Sequence, residues 1–320
     1  MKFHYTTIAC IIAGLLLLSG CQSTPQADAL AKHKPTDIAF TKVIENVPFY
    51  AQQQYYCGPT TLSEVFNFYG ENTSAEAIAP TMFIPKKQGT LQLEMISATR
   101  QFGFLPYSEK GSLERILYLV NQDIPVIVFQ NLSIPLLPQW HYAVVIGYDL
   151  GSDEVILHTG VTQRHRMSFE LFERTWSRGN YWLLAPLPTG KTNALLDPFK
   201  YISAAFDMLK VNKQHEAIKN LKAATEQWPK QWLPYLLIAN HYLPTQPEIS
   251  VEWLAKGYDT GQYELAYMNN YAHALALIGC KQNALAVITK ALRRFPQESI
   301  LLDTQNEIRA THQSHSAKCH

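Results

Sequence analysis

Val47-Pro48-Phe49-Tyr50-Ala51-Gln52-Gln53-Gln54-Tyr55-Tyr56-Cys57-Gly58-Pro59-Thr60 is the stretch on which the fold turns. Pro59 suits the first turn of a helix, where a missing N–H sacrifices no hydrogen bond. Leu62, Val65, Phe66 and Tyr69 then recur at i, i+3, i+4 and i+7, so the spacing predicts a helix that starts at Cys57 and stops at Gly70. Cys57 thereby stands at a helix N-terminus. There the positive end of the macrodipole favours the thiolate, which is the nucleophilic form. A glutamine a few residues upstream can aim its side-chain N–H at an oxyanion beside the Cys57 N–H. Gln52, Gln53 and Gln54 compete for that role.

Downstream, Pro125–Phe129, Tyr142–Tyr148, Glu154–His158 and Tyr181–Ala185 read as short strands. Asp149-Leu150-Gly151-Ser152-Asp153 reads as the turn of a hairpin. Leu91–Phe102 and Leu113–Val120 read as helices, and Ser168 caps another that runs to Trp176. The mixture predicts an α+β domain over residues 43–188. His141 opens a strand-like run, and that position can hold an imidazole rigidly at the edge of a site. It is the best candidate for the base that a cysteine nucleophile needs.

Gln52, Cys57-Gly58-Pro59 and Trp140-His141-Tyr142-Ala143-Val144-Val145-Ile146-Gly147-Tyr148-Asp149 together resemble the papain-like cysteine peptidases of family thirty-nine. These are the bacteriocin-leader (double-glycine) peptidases and their stand-alone relatives. The likeness covers residues 43–188. It is greatest to stand-alone bacterial lipoproteins that join such a domain to tetratricopeptide repeats, also through Gln88-Gly89-Thr90-Leu91-Gln92, Thr175-Trp176 and Tyr181-Trp182. The resemblance implies Cys57 as nucleophile, His141 as base and Gln52 as oxyanion donor, with no metal or organic cofactor. The leader peptidases carry a triad Asp, in an Asp-Pro pair, on the strand after the His strand. Here that stretch is Val155-Ile156-Leu157-His158-Thr159-Gly160, without a carboxylate. Thr159 can accept a hydrogen bond from His141, more weakly than an anion would. Asp149 lies roughly 25 Å away along the strand.

Beyond a linker at residues 189–199, strand signals vanish and alanine-rich helical periods take over, to about residue 310. Ala205, Ala217, Leu221, Ala224 and Pro229 recur 67 residues later as Ala272, Ala284, Ile288, Ala291 and Pro296. That period resembles tetratricopeptide repeats. The middle unit keeps Ala239 and is interrupted by Pro244 and Pro247. Such arrays bind peptides or partner proteins, an expectation by analogy of fold.

At the other end, Lys2, an apolar run from Ile8 and Leu18-Ser19-Gly20-Cys21 resemble a bacterial lipoprotein signal over residues 1–20. The apolar core is shorter than the ~20 residues of a spanning helix. Cys21 is then the acylated first residue of the mature chain, and Gln22 after it points to the outer membrane, facing the periplasm. Residues 21–42 read as a flexible tether and residues 311–320 as a disordered tail.

The chain has 320 residues, with Lys+Arg 27 against Asp+Glu 26. A balance so near neutral argues against a nucleic-acid binder. Five cysteines without a CxxC exclude a disulfide scaffold. Cys280 reads as core and Cys319 as part of the polar tail, and nothing in the sequence fixes their distance, so pairing is not the expectation. His312, His315, Cys319 and His320 lack the apolar flanks of a metal site. Arg164-His165-Arg166 reads as a small basic turn on a solvated face. Two functional classes follow. One is a lipid-anchored cysteine peptidase with a peptide or protein substrate, or an acyltransferase or amidase on the same fold. The other is a catalytically silent lipoprotein adaptor.

Overall fold

The structure, a computed structural model, describes residues 23–53, 55–82, 89–134, 136–310 and 319. The signal segment, Cys21, Gln54, Gln88, His312, His315 and His320 lie outside these residues. The chain divides into two compact units. One takes the described residues up to Met95 together with Ser108–Ala185, and the other takes Ile96–Tyr107 with the chain from Pro186 onward.

The first stretch of chain forms α1 (Pro25–Lys32), β1 (Thr41–Val43), α2 (Cys57–Phe68), α3 (Ala75–Ile78) and α4 (Gln92–Gln101). There follow β2 (Leu105–Lys110), α5 (Leu113–Asn121), β3 (Val126–Asn131), β4 (Trp140–Asp149) and β5 (Glu154–Thr159). Then come β6 (Thr162–Ser168), α6 (Phe169–Ser177) and β7 (Trp182–Leu187). The strands lie in the order β2-β7-β3-β4-β5-β6, and β1 also pairs with β4. Every pairing of β4 is antiparallel. Strand β3 runs along Trp140–Val145, and β1 takes up Gly147–Asp149. Gly147 is required there, because a Cβ would stand 2.7 Å from the carbonyl oxygen of Lys42. Helices α2 and α5 both pack on β4, which is why Tyr142–Tyr148 is buried from end to end. This α+β unit with an antiparallel sheet is the fold class that the sequence predicts.

Three features differ from the sequence reading. First, the region read as a flexible tether contains α1, which is docked. Pro25 occupies the first turn, and Ala27 and Leu30, three apart, are buried. The buried Glu173 of α6 accepts hydrogen bonds from the N–H groups of Gln26 and Ala27, at 3.2 and 2.7 Å. Those are donors that a helix start leaves open. The partner lies 146 residues away, so no local pattern announces it.

Second, Arg164–Arg166 lies on the edge strand β6 rather than in a turn. An edge strand needs hydrogen bonds on one side only and tolerates charge, which hides it from an apolar-periodicity search. Arg166 meets both Asp149 and Glu154 at 2.8 Å. Third, Cys280 and Cys319 form a disulfide, contrary to expectation. Cys319, within the segment read as a disordered tail, packs against the helical core around Cys280.

The second unit holds α7 (Pro198–Lys210), α8 (Gln214–Gln227), α9 (Leu233–Tyr242), α10 (Pro247–Lys256) and α11 (Tyr258–Gly261). It continues with α12 (Leu265–Leu277), α13 (Lys281–Arg294) and α14 (Ser299–Ala310). Helices α12 and α13 each begin 67 residues after α7 and α8. The recurring small residues Ala205, Ala217 and Ala224, with Ala272, Ala284 and Ala291, are buried. Pro247 opens α10 rather than breaking it, since the first helical position has no intrahelical donor to lose. The segment after Pro186 belongs to this unit: Gly190 N–H donates to Asn220 Oδ1 at 2.7 Å, and Asp197 caps α7 through Lys200 N–H. No helix among the described residues is long and apolar enough to cross a membrane.

Candidate functional site

Cys57 is the first residue of α2, and the helix below it is buried nearly all round. Its polar side chains turn inward onto the backbone. Thr61 Oγ1 donates to the Gly58 carbonyl at 2.9 Å and Ser63 Oγ to that of Thr60 at 2.8 Å. Gly58 allows the helix start to sit close to Thr90, 3.0 Å from where a Cβ would stand. Just before the helix, Tyr55 holds a φ of 68°, the left-handed region that a bulky side chain seldom occupies. This tight turn lets Gln52 and Cys57 line one wall of a cleft of about 900 Å³.

The opposite wall comes from the sheet. His141 lies near the start of β4 and Thr159 at the end of β5, and antiparallel pairing brings those two ends together. The His141 Nε2 lies 2.8 Å from Thr159 Oγ1. This leaves Nδ1 as the ring nitrogen for a thiol. Gln52 is fixed twice, by its N–H to the Gly160 carbonyl at 2.9 Å and by its Nε2 to the Tyr142 carbonyl at 3.4 Å. Gln53 also lines the cleft. The rim is apolar: Leu91, Leu132, Pro138 and a half-exposed Trp140 that stacks on Phe129 at 4.9 Å.

Burial dominates the electrostatics. It raises the Cys57 thiol above its ordinary value, against the opposing hydrogen bonds of the Tyr142, Gly58 and Cys57 backbone. It lowers the His141 imidazolium to about 4. Both shifts favour the uncharged forms, a thiol and a neutral imidazole. Desolvation thus opposes the thiolate that the helix terminus favours. Asp149 is remote from the cleft and engaged with Arg166. No group of three or more His, Cys, Asp or Glu side chains able to hold a metal occurs among the described residues.

Residues 44–181 match the family model described as the Peptidase_C39 like family. They form a C39-like domain. Among solved structures, a C39-like peptidase from Bacillus anthracis is 15% identical, with 46% of this chain and 97% of that chain covered and a TM-score of 0.39. The peptidase domain of Streptococcus ComA, a bifunctional ABC transporter of a quorum-sensing pathway, is 28% identical, with 44% and 99% covered and a TM-score of 0.37. A double-glycine motif protease from an AMS/PCAT transporter, solved with its leader peptide, is 18% identical, with 46% and 98% covered and a TM-score of 0.36. No curated protein matches the chain.

In the C39-like domain, the cleft brings together Gln52, Cys57, His141 and Thr159, the four residues singled out in its sequence. Cys21 lies outside the described residues. Two further groups went unnoticed in the sequence. Glu64 is fully buried on α2, where burial pushes its carboxyl up to about 8. His158 of β5 stands with its Nδ1 3.9 Å from Glu64 Oε2. The available signal was a lone acid inside the apolar period of α2, beside Leu62, Val65 and Phe66.

Proposed function

We propose that this chain is a cysteine peptidase in which Cys57 attacks a substrate carbonyl. Support comes above all from one observation: Cys57, Gln52 and a His141 ring held at Nε2 by Thr159 share a single cleft. With Nε2–H donating to Thr159, the Nδ1 lone pair takes the thiol proton as the C–S bond forms. The tetrahedral oxyanion faces the Cys57 N–H and the Gln52 amide. Its collapse breaks the C–N bond, and the imidazolium returns its proton to the leaving amine. Water, deprotonated by the same nitrogen, then cleaves the thioester and restores the thiol. Burial favours the neutral forms of both groups, which suits a proton transfer that accompanies attack. The apolar rim suits peptides with aliphatic or aromatic side chains near the scissile bond.

The chain is further read as a lipoprotein anchored through Cys21 in the cell envelope, facing the periplasm. Its C-terminal helices, read as tetratricopeptide-like repeats, recruit a substrate or partner. A true double-glycine leader suits this chain poorly, because an export signal carries it away from the cytoplasm. One observation favours the adaptor reading, namely a neutral Thr159 in place of a triad carboxylate. A thiol-directed peptide electrophile at neutral pH separates the two. Rapid labelling of Cys57, abolished in His141→Ala, is the peptidase result. Slow labelling that His141→Ala leaves unchanged would establish the adaptor instead.

A further inference from the structure

Glu64 lies seven residues after Cys57 on α2, two helical turns along the same face. Its Oε1 accepts the Tyr50 N–H at 2.9 Å. Tyr50 is two residues before Gln52, whose own N–H is bonded to Gly160 on the turn after β5. The segment that carries Gln52 is thus pinned at one point by α2 and at the next by the sheet. The opposite oxygen, Oε2, has no hydrogen-bond partner. His158 Nδ1 stands 3.9 Å from it, beyond hydrogen-bond reach, and the Phe49 ring lies edge-on to His158 at 5.3 Å. The residue after His158 is Thr159, which holds the His141 ring. A carboxyl in a fully buried place is costly unless its bonds are needed. The one bond it makes ends on the segment that carries the oxyanion donor.

We infer that Glu64 is a positioning residue that sets Gln52 in register with Cys57 by holding the Tyr50 backbone. The nucleophile and its oxyanion donor are thereby both referred to one rigid helix. This inference rests on the peptidase reading and assigns Glu64 no contact with substrate. Glu64→Met keeps the bulk and removes the acceptor. Glu64→Gln keeps an acceptor at Oε1.

Two reagents separate positioning from general disruption. A peptide aldehyde adds to the thiol and leaves an oxyanion that Gln52 must meet. Iodoacetamide alkylates the thiol by displacing iodide and creates no oxyanion. In the full chain, Glu64→Met is expected to weaken aldehyde binding about tenfold while the Cys57 alkylation rate changes less than twofold. Glu64→Gln is expected to retain the wild-type aldehyde affinity. In a Gln52→Ala background, Glu64→Met is expected to add no further loss, because two residues acting on one interaction are not additive.

Unchanged aldehyde binding in Glu64→Met, equal loss with both reagents, or additive losses in the double variant would each overturn the inference. If Glu64→Met does not fold, Tyr50→Pro deletes the same hydrogen bond from the donor side and is read by the same criteria. A wild-type chain that fails to bind the aldehyde would remove the peptidase reading itself. A wild-type chain that binds it, with variants that match it, would remove only the role of Glu64.

Discussion

On the peptidase reading, replacing Thr159 tests what orients His141 when no carboxylate is present. Thr159→Val removes the hydroxyl and keeps the shape. The bond lost is a neutral one at 2.8 Å to His141 Nε2. Such bonds contribute about 0.5–1.5 kcal/mol net, so acylation of Cys57 should slow by roughly fivefold. Thr159→Asp places an anion at the same point. A charged acceptor favours the imidazolium, and burial alone now holds His141 at about 4. The pH at which activity begins should therefore rise by about one unit or more, equivalent to about 1.4 kcal/mol. The sign is fixed by the chemistry: the base works only when neutral, so in the wild type the rate climbs as pH rises through about 4. It then stays level until the raised Cys57 thiol ionises. The assay is the rate of Cys57 acylation by a peptide thioester from roughly pH 3 to 8, which spans the acid limb and the level region above it. A Thr159→Val chain with an unchanged rate, or a Thr159→Asp chain whose acid limb stays in place, would show that another group orients the ring.

Two stability predictions accompany it. The folded state holds a proton on Glu64 up to about 8, against an ordinary value of 4.5, so the wild type loses stability as pH rises between those values. Glu64→Gln removes that dependence, and the difference between the two chains should change by on the order of 5 kcal/mol across the window. Urea unfolding followed by tryptophan fluorescence reads it, and parallel profiles for the two chains would refute it. In the helical unit, Cys319→Ser opens a disulfide spanning 39 residues. The loop-entropy relation gives a loss of about 4 kcal/mol. A lower melting temperature by circular dichroism, matched in the wild type by added reductant, is the expected result.

The legible parts of the molecule are those written in local periodicity and short spacing. The start of α2 at Cys57, the cap of α6 at Ser168, and the buried run of β4 each announce themselves within a few residues. So does the recurrence of the helices at 67 residues. What was illegible depends on distant partners. Helix α1 is completed by Glu173, strand β6 is held at one edge by β5, and Cys319 meets Cys280 across a separation of 39 residues. The site shows the same division. Residue types and order nominate Gln52, Cys57 and His141. The ionisation state of the pair follows from burial, which no spacing rule conveys. Glu64 was hidden for the opposite reason: its neighbours in sequence are core residues, and its one bond joins it to a backbone rather than to a side chain.

The docking of α1 also bears on reach. Only Gln22, Ser23 and Thr24 separate Cys21 from Pro25, where α1 begins. At ~3.5 Å per residue that leash extends little more than a dozen ångströms. For a chain acylated at Cys21, the C39-like unit would graze the bilayer like a boat on a short mooring line. On the peptidase reading, the polypeptides within its reach are those near the lipid surface.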